Sequence, residues 1–392
     1  MANVRIAGTG MTAFGEHAGR TGRDLFAAAG IDALEDAQLD PDDIEELYYG
    51  NFMGELAEHQ GHQAPLFAEA VGIDAPATRF EAACASGGTA VRAAVQAVRN
   101  GEADAVLVGG TERMTDMGTA GATDGLSIAA DDLYEIKAGM TFPGAYALMA
   151  SAYLDAYDAD ADDLAHIAVK NHDNAVVNEK AHFQSAITVE DALEAPRVAS
   201  PLGLYDACPI SDGAAAVVLT SESFAADHDL DAPVTVTGTG QGTDNLALQD
   251  RESLYRTPAA ETAAETAYAE AGITPADVDC AEVHDCFTIA EVLATESLGF
   301  FEPGEGLTAA KDGKTTRDGS IPVNLSGGLK AKGHPVGATG VAQIAELTKL
   351  LAGTHARSDA LDDPSVGIAH NAGGTVATAT VHVLERTTEV DA

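Results

Sequence analysis

The chain repeats itself, and that constrains its fold more than any other feature. "VRIAGTG" (Val4 to Gly10) returns as "VTVTGTG" (Val234 to Gly240), each an alternating segment that closes on glycines and predicts a strand. After the first copy comes "ALEDAQLDPDDIEELYYG", an amphipathic helix, a proline-initiated turn and a new strand. After the second comes "AYAEAGITPADVDCAEVHD", with Ala271 matching Ala37, Pro275 matching Pro41 and Val278 matching Ile44. A third echo pairs "AVLVGGTE" (Ala105 to Glu112) with "IAHNAGGT" (Ile368 to Thr375). Three echoes in one order predict two related α/β units with mostly parallel sheets, over residues 1–230 and 231–392. Residues from about 114 to 197 have no counterpart in the second unit. Their helical runs, "FPGAYALMASAYLDAY" and "DLAHIAVKNHDNAVVNE", predict an inserted lid or binding subdomain rather than a linker.

Charge excludes some functions. The chain carries 62 acidic and 21 basic residues, a net charge of −41. The acids are spread along helical surfaces, as in "DAYDADADDL", rather than gathered in one tail. That spread fits a protein adapted to high salt, where screening removes self-repulsion, and argues against nucleic-acid binding. No run of 18 apolar residues and no leader-like N-terminus is visible, so a soluble cytoplasmic protein is expected. Cys84, Cys208, Cys280 and Cys286 show no paired spacing and are expected as free thiols.

Three segments carry reactive groups. In "EAACASGGTAVRAAVQAVRNG", Cys84 stands where a helix begins, and the positive end of the dipole is expected to lower its pKa. In "SGGLKAKGHPVGATG", glycines let the backbone approach a ligand, and His334 sits in a loop entering a helix. Ser326, Gly327 and Gly328 of that loop are the expected substrate contacts, and no nucleotide P-loop is present. In "EVHDCFTIAE", strand alternation would place Glu282, His284 and Cys286 on one face and Asp285 on the other. No companion H-x-E or C-x-x-C supports a metal, and none is expected.

Together, "CASGG", "HDCF" and "GHPVGATG" resemble the thiolase superfamily, in particular its archaeal and sterol-carrier-protein types. The resemblance extends through "TFPGAYALMASAY", "KNHDNAVVNEKAHF" and "SPLGLYDACPISDGAAAVVL" and so spans nearly the whole chain; "GHPxGATG" alone also admits ketosynthases. It implies two duplicated α/β halves in a five-layered αβαβα fold, with a loop domain inserted in the first. Carried over, Cys84 is the acyl-accepting nucleophile, His334 the base that activates it and His284 part of an oxyanion hole. Ordinary biosynthetic thiolases have asparagine at the position of His284 and a second cysteine in a C-terminal Cys-x-Gly motif. This chain has "GIAHNAGGT" there, which leaves the counterparts of His370 and Asn371 open. In the archaeal and sterol-carrier types the "HDCF" cysteine, here Cys286, supplies the missing acid/base. The N–H groups of Cys84 and of the Ala372–Gly373 region, with Gly373 preferred, are the expected donors to the tetrahedral intermediate.

The implied activity is acetyl-CoA C-acetyltransferase, with coenzyme A thioesters as substrates and no further cofactor. Thiolate suits it, being both a soft nucleophile and a good leaving group. The alternatives are a decarboxylating ketosynthase, which needs no proton-abstracting Cys286, and a non-catalytic thiolase-fold scaffold or lipid-binding subunit. The resemblance further implies a homodimer or dimer of dimers, an early role in the mevalonate route, and a complex with 3-hydroxy-3-methylglutaryl-CoA synthase through a small zinc/OB-fold scaffold protein.

Overall fold

A computed structural model describes residues 3–387. The first half contributes β1 (Val4–Met11), β2 (Glu46–Gly50), β3 (Ala77–Phe80), β4 (Ala105–Glu112) and β5 (Gly213–Ser221). The second contributes β6 (Val234–Thr243), β7 (Cys280–Glu282), β8 (Val366–Gly373) and β9 (Thr378–Arg386). Hydrogen bonding runs in the order β3-β2-β4-β5-β1-β6-β9-β8-β7. The two halves are mirror-ordered about the β1/β6 seam, where only Val4, Arg5 and Ile6 pair with Val236, Thr235 and Val234. A parallel bridge from Ala281 to Val323 extends the β7 edge, as β3 extends β2.

The mostly parallel sheets expected from sequence are mixed. Within each half all strands but one share a direction, but β5 and β9 run against their neighbours and sit inside the sheet. Most hydrogen-bonded pairs are therefore antiparallel.

The helices that shape the site are α1 (Gly22–Ala37), α2 (Ser86–Asn100), α3 (Phe142–Tyr157), α4 (Ala165–Ala175), α5 (Pro258–Ala271), α6 (Thr288–Ser297) and α7 (Thr339–Leu351). Val91 and Val95 of α2 and Ile344 and Leu347 of α7 share one apolar core with Val106 and Val217 of the first sheet and Val236 and Leu384 of the second. The α2/α7 pair is thus a middle layer. On the far side of the first sheet lie Leu25, Phe26 and Ala29 of α1, and on the far side of the second, Ala259, Ala263 and Ala267 of α5. Five layers result, α-β-α-β-α.

The glycines of the echoed strands do not close them. Both strands run on, to Met11 and Thr243, and the glycines face helices. A Cβ on Gly8 would lie 2.3 Å from the Ala33 carbonyl oxygen, and one on Gly240 would lie 1.9 Å from that of Ala263. Glycine on the strand and alanine on the helix let each outer helix settle closely onto its sheet, which is why both motifs recur in both halves.

The inserted segment reaches both halves: Met114, Ala122 and Leu126 pack with Phe52 and Met53 of its own half beside Cys84. Tyr146, Met149 and Tyr153 of α3 pack with Phe287, Ile289 and Leu293 of the second half. Lys170 of α4 forms a buried ion pair with Glu291 of α6 at 2.6 Å. The insertion therefore braces the "HDCF" loop. Among the described residues no helix is long and apolar enough to cross a membrane.

Candidate active site

β3 delivers the chain to a tight turn before α2. Ala83 holds a left-handed backbone, φ +49°, which costs a non-glycine residue roughly 1–2 kcal/mol. Ser86 pins the turn, accepting from the Ala82 N–H at 2.9 Å and donating to the Ala83 carbonyl at 2.6 Å. Cys84 is thereby raised into a cavity of about 550 Å³ whose wall includes Met114, Phe142, Tyr146, Cys208, Cys286 and His334. The N–H groups of Gly374 and of Cys84 itself point at its sulfur. The expected donor was Gly373; a Cβ there would lie 2.3 Å from the Ala82 carbonyl oxygen, and the N–H that reaches the sulfur is that of its neighbour Gly374.

The helix N-terminus does not leave Cys84 a thiolate. Burial dominates and pushes its pKa up to about 12, against the pull of the Gly374 N–H. At rest Cys84 is a thiol, which can attack a carbonyl only if a neighbouring group takes its proton.

A group able to take a proton is presented by the loop before α7. His334 Nδ1 lies 2.7 Å from Thr339 Oγ1, and the hydroxyl spends its own proton on the Pro335 carbonyl at 3.0 Å. Nδ1 therefore carries the ring hydrogen and Nε2 a lone pair, with no partner among the described residues. Burial lowers the His334 pKa to about 3, so the ring is neutral and able to accept.

His284 has the opposite tautomer, and Asn371 sets it. The Asn371 Oδ1 accepts from the Gly88 N–H at 3.1 Å, so its Nδ2 faces the Cys84 carbonyl at 3.0 Å and His284 Nδ1 at 3.1 Å. Nδ2 can only donate. His284 Nδ1 must then hold the lone pair and Nε2 the proton, again without a partner. The reactive atoms of Cys84, His284 and His334 lie within 4.8 Å of one another, the two rings edge-on. Two histidines and a thiol at that separation suggest a metal site, but a protonated Nε2 cannot be a ligand. The set fits one donor, one acceptor and one nucleophile.

Cys286 lines the same cavity. The strand ends at Glu282, so alternation does not govern the residues after it. Glu282 turns away and accepts from the Ser326 N–H and hydroxyl. Asp285 also points away, accepting from Leu329 N at 2.6 Å and from Asn171 Nδ2 at 2.7 Å; burial raises it to about 7. Ser326, Gly327 and Gly328 are not in the cavity wall. A Cβ on Gly327 would meet Ala175 at 2.6 Å and one on Gly328 would meet the Asp285 carboxylate at 2.4 Å, so the segment supports the loop from behind.

Sequence reasoning missed Tyr146, Cys208 and Glu112. Cys208 sits beside Cys286, its N–H donating to the Cys286 carbonyl at 3.0 Å. Glu112 accepts from Phe52, Met53 and Gly337 N–H groups, tying the His334 loop to the first half; burial raises its pKa to about 7. No local signal marks these residues, because each partner is distant in sequence.

A half-buried cysteine beside a neutral histidine acceptor, a histidine donor and two convergent N–H groups is the equipment that acyl transfer through a cysteine thioester requires. Residues 4–223 match the thiolase N-terminal domain and residues 240–386 the thiolase C-terminal domain-like family. The chain belongs to the thiolase family. It is 43% identical over 387 residues to the acetyl-CoA acetyltransferase of Methanothermobacter thermautotrophicus, covering 98% of this chain and 100% of that one. Human sterol carrier protein 2 is 31% identical over 384 residues, covering 94% of this chain and 70% of that protein. Among solved structures, an Ltp2–ChsH2(DUF35) aldolase superposes with a TM-score of 0.83 at 25% identity, over 99% of both chains. The acetyl-CoA acetyltransferase of Syntrophomonas wolfei, at 22% identity and TM-score 0.77 over 99% of this chain and 100% of that one, shares the fold.

Proposed function

We propose that this thiolase condenses two acetyl-CoA into acetoacetyl-CoA and CoA, and runs the reverse thiolysis, through acetyl-Cys84. The observation that carries the reading is the trio within 4.8 Å whose tautomers are fixed in opposite senses, with Cys286 in the same cavity. In acylation the Cys84 proton passes to His334 Nε2 as sulfur attacks the thioester carbonyl, and the Gly374 and Cys84 N–H groups hold the oxyanion. CoA leaves as thiolate and takes the Cys286 proton. In condensation the Cys286 thiolate removes a methyl proton from the second acetyl-CoA, and His284 Nε2–H holds the enolate oxygen. The enolate carbon attacks acetyl-Cys84, and the expelled Cys84 thiolate recovers its proton from His334. A decarboxylating reaction would leave Cys286 without a task.

The 42–43% identical archaeal acetyl-CoA acetyltransferases support acetyl-CoA as substrate. Supply of acetoacetyl-CoA to the mevalonate route, a homodimer or dimer of dimers, and a complex with 3-hydroxy-3-methylglutaryl-CoA synthase through a zinc/OB-fold scaffold belong to the same proposal. The resemblance to a two-component aldolase with a DUF35 partner supports the last. The net charge of −41 supports a salt-rich cytoplasm as the setting. The test is acetyl-CoA incubation of the parent, Cys84→Ala and Cys286→Ala proteins. Acetylation should occur at Cys84 in the parent and in Cys286→Ala and be lost in Cys84→Ala. Cys286→Ala should fail to exchange the methyl protons of acetyl-CoA with D₂O. Acetyl found on Cys286 alone, or full exchange in Cys286→Ala, overturns the assignment.

A further inference from the structure

Tyr146 is one of the largest fully buried side chains, and it projects from α3 of the inserted segment into the reactive cavity. Its ring stacks on Phe287, the residue after Cys286, with centroids 4.6 Å apart and planes 25° from parallel. Its hydroxyl donates to the Gly374 carbonyl at 3.0 Å, and the Cys286 thiol lies beside it in the same cavity wall. One hydroxyl proton faces two acceptors. Which one receives it depends on the charge of Cys286.

The other groups around Cys286 leave Tyr146 a distinct part. Burial is the strongest influence against a negative charge on Cys286, and charge on the neighbouring Cys208, Cys84 or Asp285 would oppose it too. The Tyr146 hydroxyl is the neighbour that favours thiolate. A buried thiol expected to release and recover a proton in each cycle is helped by such a donor, because burial disfavours its charged form.

We propose that Tyr146 is a positioning residue for carbon–carbon bond formation: its hydroxyl turns from the Gly374 carbonyl to the Cys286 sulfur when Cys286 becomes a thiolate. While Cys286 is a thiol, its S–H donates to the tyrosine oxygen and the tyrosine proton rests on Gly374. When the departing CoA thiolate takes the Cys286 proton, the tyrosine O–H rotates onto the new thiolate. As that thiolate breaks the methyl C–H bond, the proton forms an S–H bond, the electron pair passes into the enolate, and the tyrosine returns to Gly374. Tyr146 itself is never deprotonated. The role rests on Cys286 being the proton-transferring thiol.

The test uses methyl hydrogen–deuterium exchange of acetyl-CoA as a function of pH, with Cys84 acetylation followed separately by mass. Tyr146→Phe keeps the ring and its stacking. We expect Cys84 acetylation at close to the parent rate. Exchange should fall roughly ten- to a hundredfold, the size of one hydrogen bond to a charged group, with the pH limb displaced upward by about one to two units. Difluorotyrosine incorporated at position 146 keeps the shape and donates more strongly, so it should displace the limb downward, which a merely structural role would not produce. An exchange profile of Tyr146→Phe superimposable on the parent, or an equal loss of acetylation and exchange, overturns the proposal; should Tyr146→Phe fail to fold, an unmoved limb in the difluorotyrosine protein does so. Cys286→Ala is measured in parallel. If it still exchanges, the reading of Cys286 fails and Tyr146 falls with it; if it is silent while the tyrosine variants are unshifted, only the role of Tyr146 fails.

Discussion

Asn371→Asp changes one NH₂ to an oxygen and tests the tautomer assignment directly. Oδ1 still accepts from Gly88 N, but the oxygen replacing Nδ2 now faces two acceptors, the Cys84 carbonyl and His284 Nδ1. At pH 8 the imidazole can relieve one conflict by moving its proton from Nε2 to Nδ1. The enolate oxygen then meets a lone pair where it had a donor. Loss of one such donor costs about 10²–10³ in rate, or about 2.7–4 kcal/mol of transition-state stabilisation. The Cys84 carbonyl, left without its hydrogen bond, should cost about 1–3 kcal/mol of stability. A second consequence follows from geometry. His284 Nε2 becomes a possible ligand beside Cys84 and His334, all within 4.8 Å. Tetrahedral zinc with bonds of about 2.0 Å to nitrogen and 2.3 Å to sulfur would draw these atoms to roughly 3.4–3.6 Å apart. The variant should therefore be inhibited by micromolar zinc at concentrations the parent tolerates. The assay is acetoacetyl-CoA thiolysis and its reverse, followed by the thioester enolate absorbance, with and without zinc, beside a thermal melt. A folded Asn371→Asp protein that condenses at close to the parent rate, and ignores zinc, refutes the tautomer argument.

Acid should destabilise the fold. Burial lowers His334 to about 3 and His370 and His382 to about 4, with His284 also well below its ordinary value. The unfolded chain takes up these protons near pH 6.5 and the folded one does not, so each histidine removes about 2 kcal/mol between pH 7 and 5. Glu112 and Asp285, both raised to about 7, act in the opposite sense by binding protons first in the folded state. His172, lowered to about 4, and His182, also lowered, add to the first group, and Glu282 and Glu296, both raised, to the second. Six histidines outweigh four carboxylates, so the urea midpoint should fall from pH 7 to 5; a rising midpoint would contradict the burial of the histidines. Gly340→Ala would place a Cβ 2.2 Å from Gly88 N, forcing α2 and α7 apart; about 1–3 kcal/mol should be lost, with activity falling further than the melt alone accounts for. Melting temperature should climb from dilute to molar KCl as the charge of −41 is screened, and a flat response removes the salt-adaptation reading.

The duplication was legible because it is local: each echo is a strand, a helix and a turn in sequence. The antiparallel strands inside each sheet were not: β5 looks like any apolar strand and follows β4 only after the long inserted segment, and β9, which returns from β8 through a short turn at 374–377, carries no residue pattern that tells it from a parallel strand. Cys84, His284, His334 and Cys286 announced themselves by residue type and loop context. The pKa of Cys84 did not, because a local dipole argument was outweighed by burial contributed from elsewhere in the chain. Asn371 was visible in "HNAGG", but its task depends on Cys84, Gly88 and His284, which lie 287, 283 and 87 residues away. Glu282 was misplaced for a simpler reason, that its strand stops there.

Cys84 and His334 each occupy the loop that leads into the middle-layer helix of its own half. In a symmetric ancestor of two identical halves those loops would carry the same residue, and two equivalent half-sites would face each other across the α2/α7 contact. Two thiols without a base, or two bases without a thiol, would transfer nothing. In the present chain the two loops have diverged, one carrying a cysteine and the other a histidine, the proposed nucleophile and its proton acceptor. The same divergence gave up one of the two sites that symmetry offered. The folded chain is therefore a broken pair, and neither half can be active until the other has docked against it.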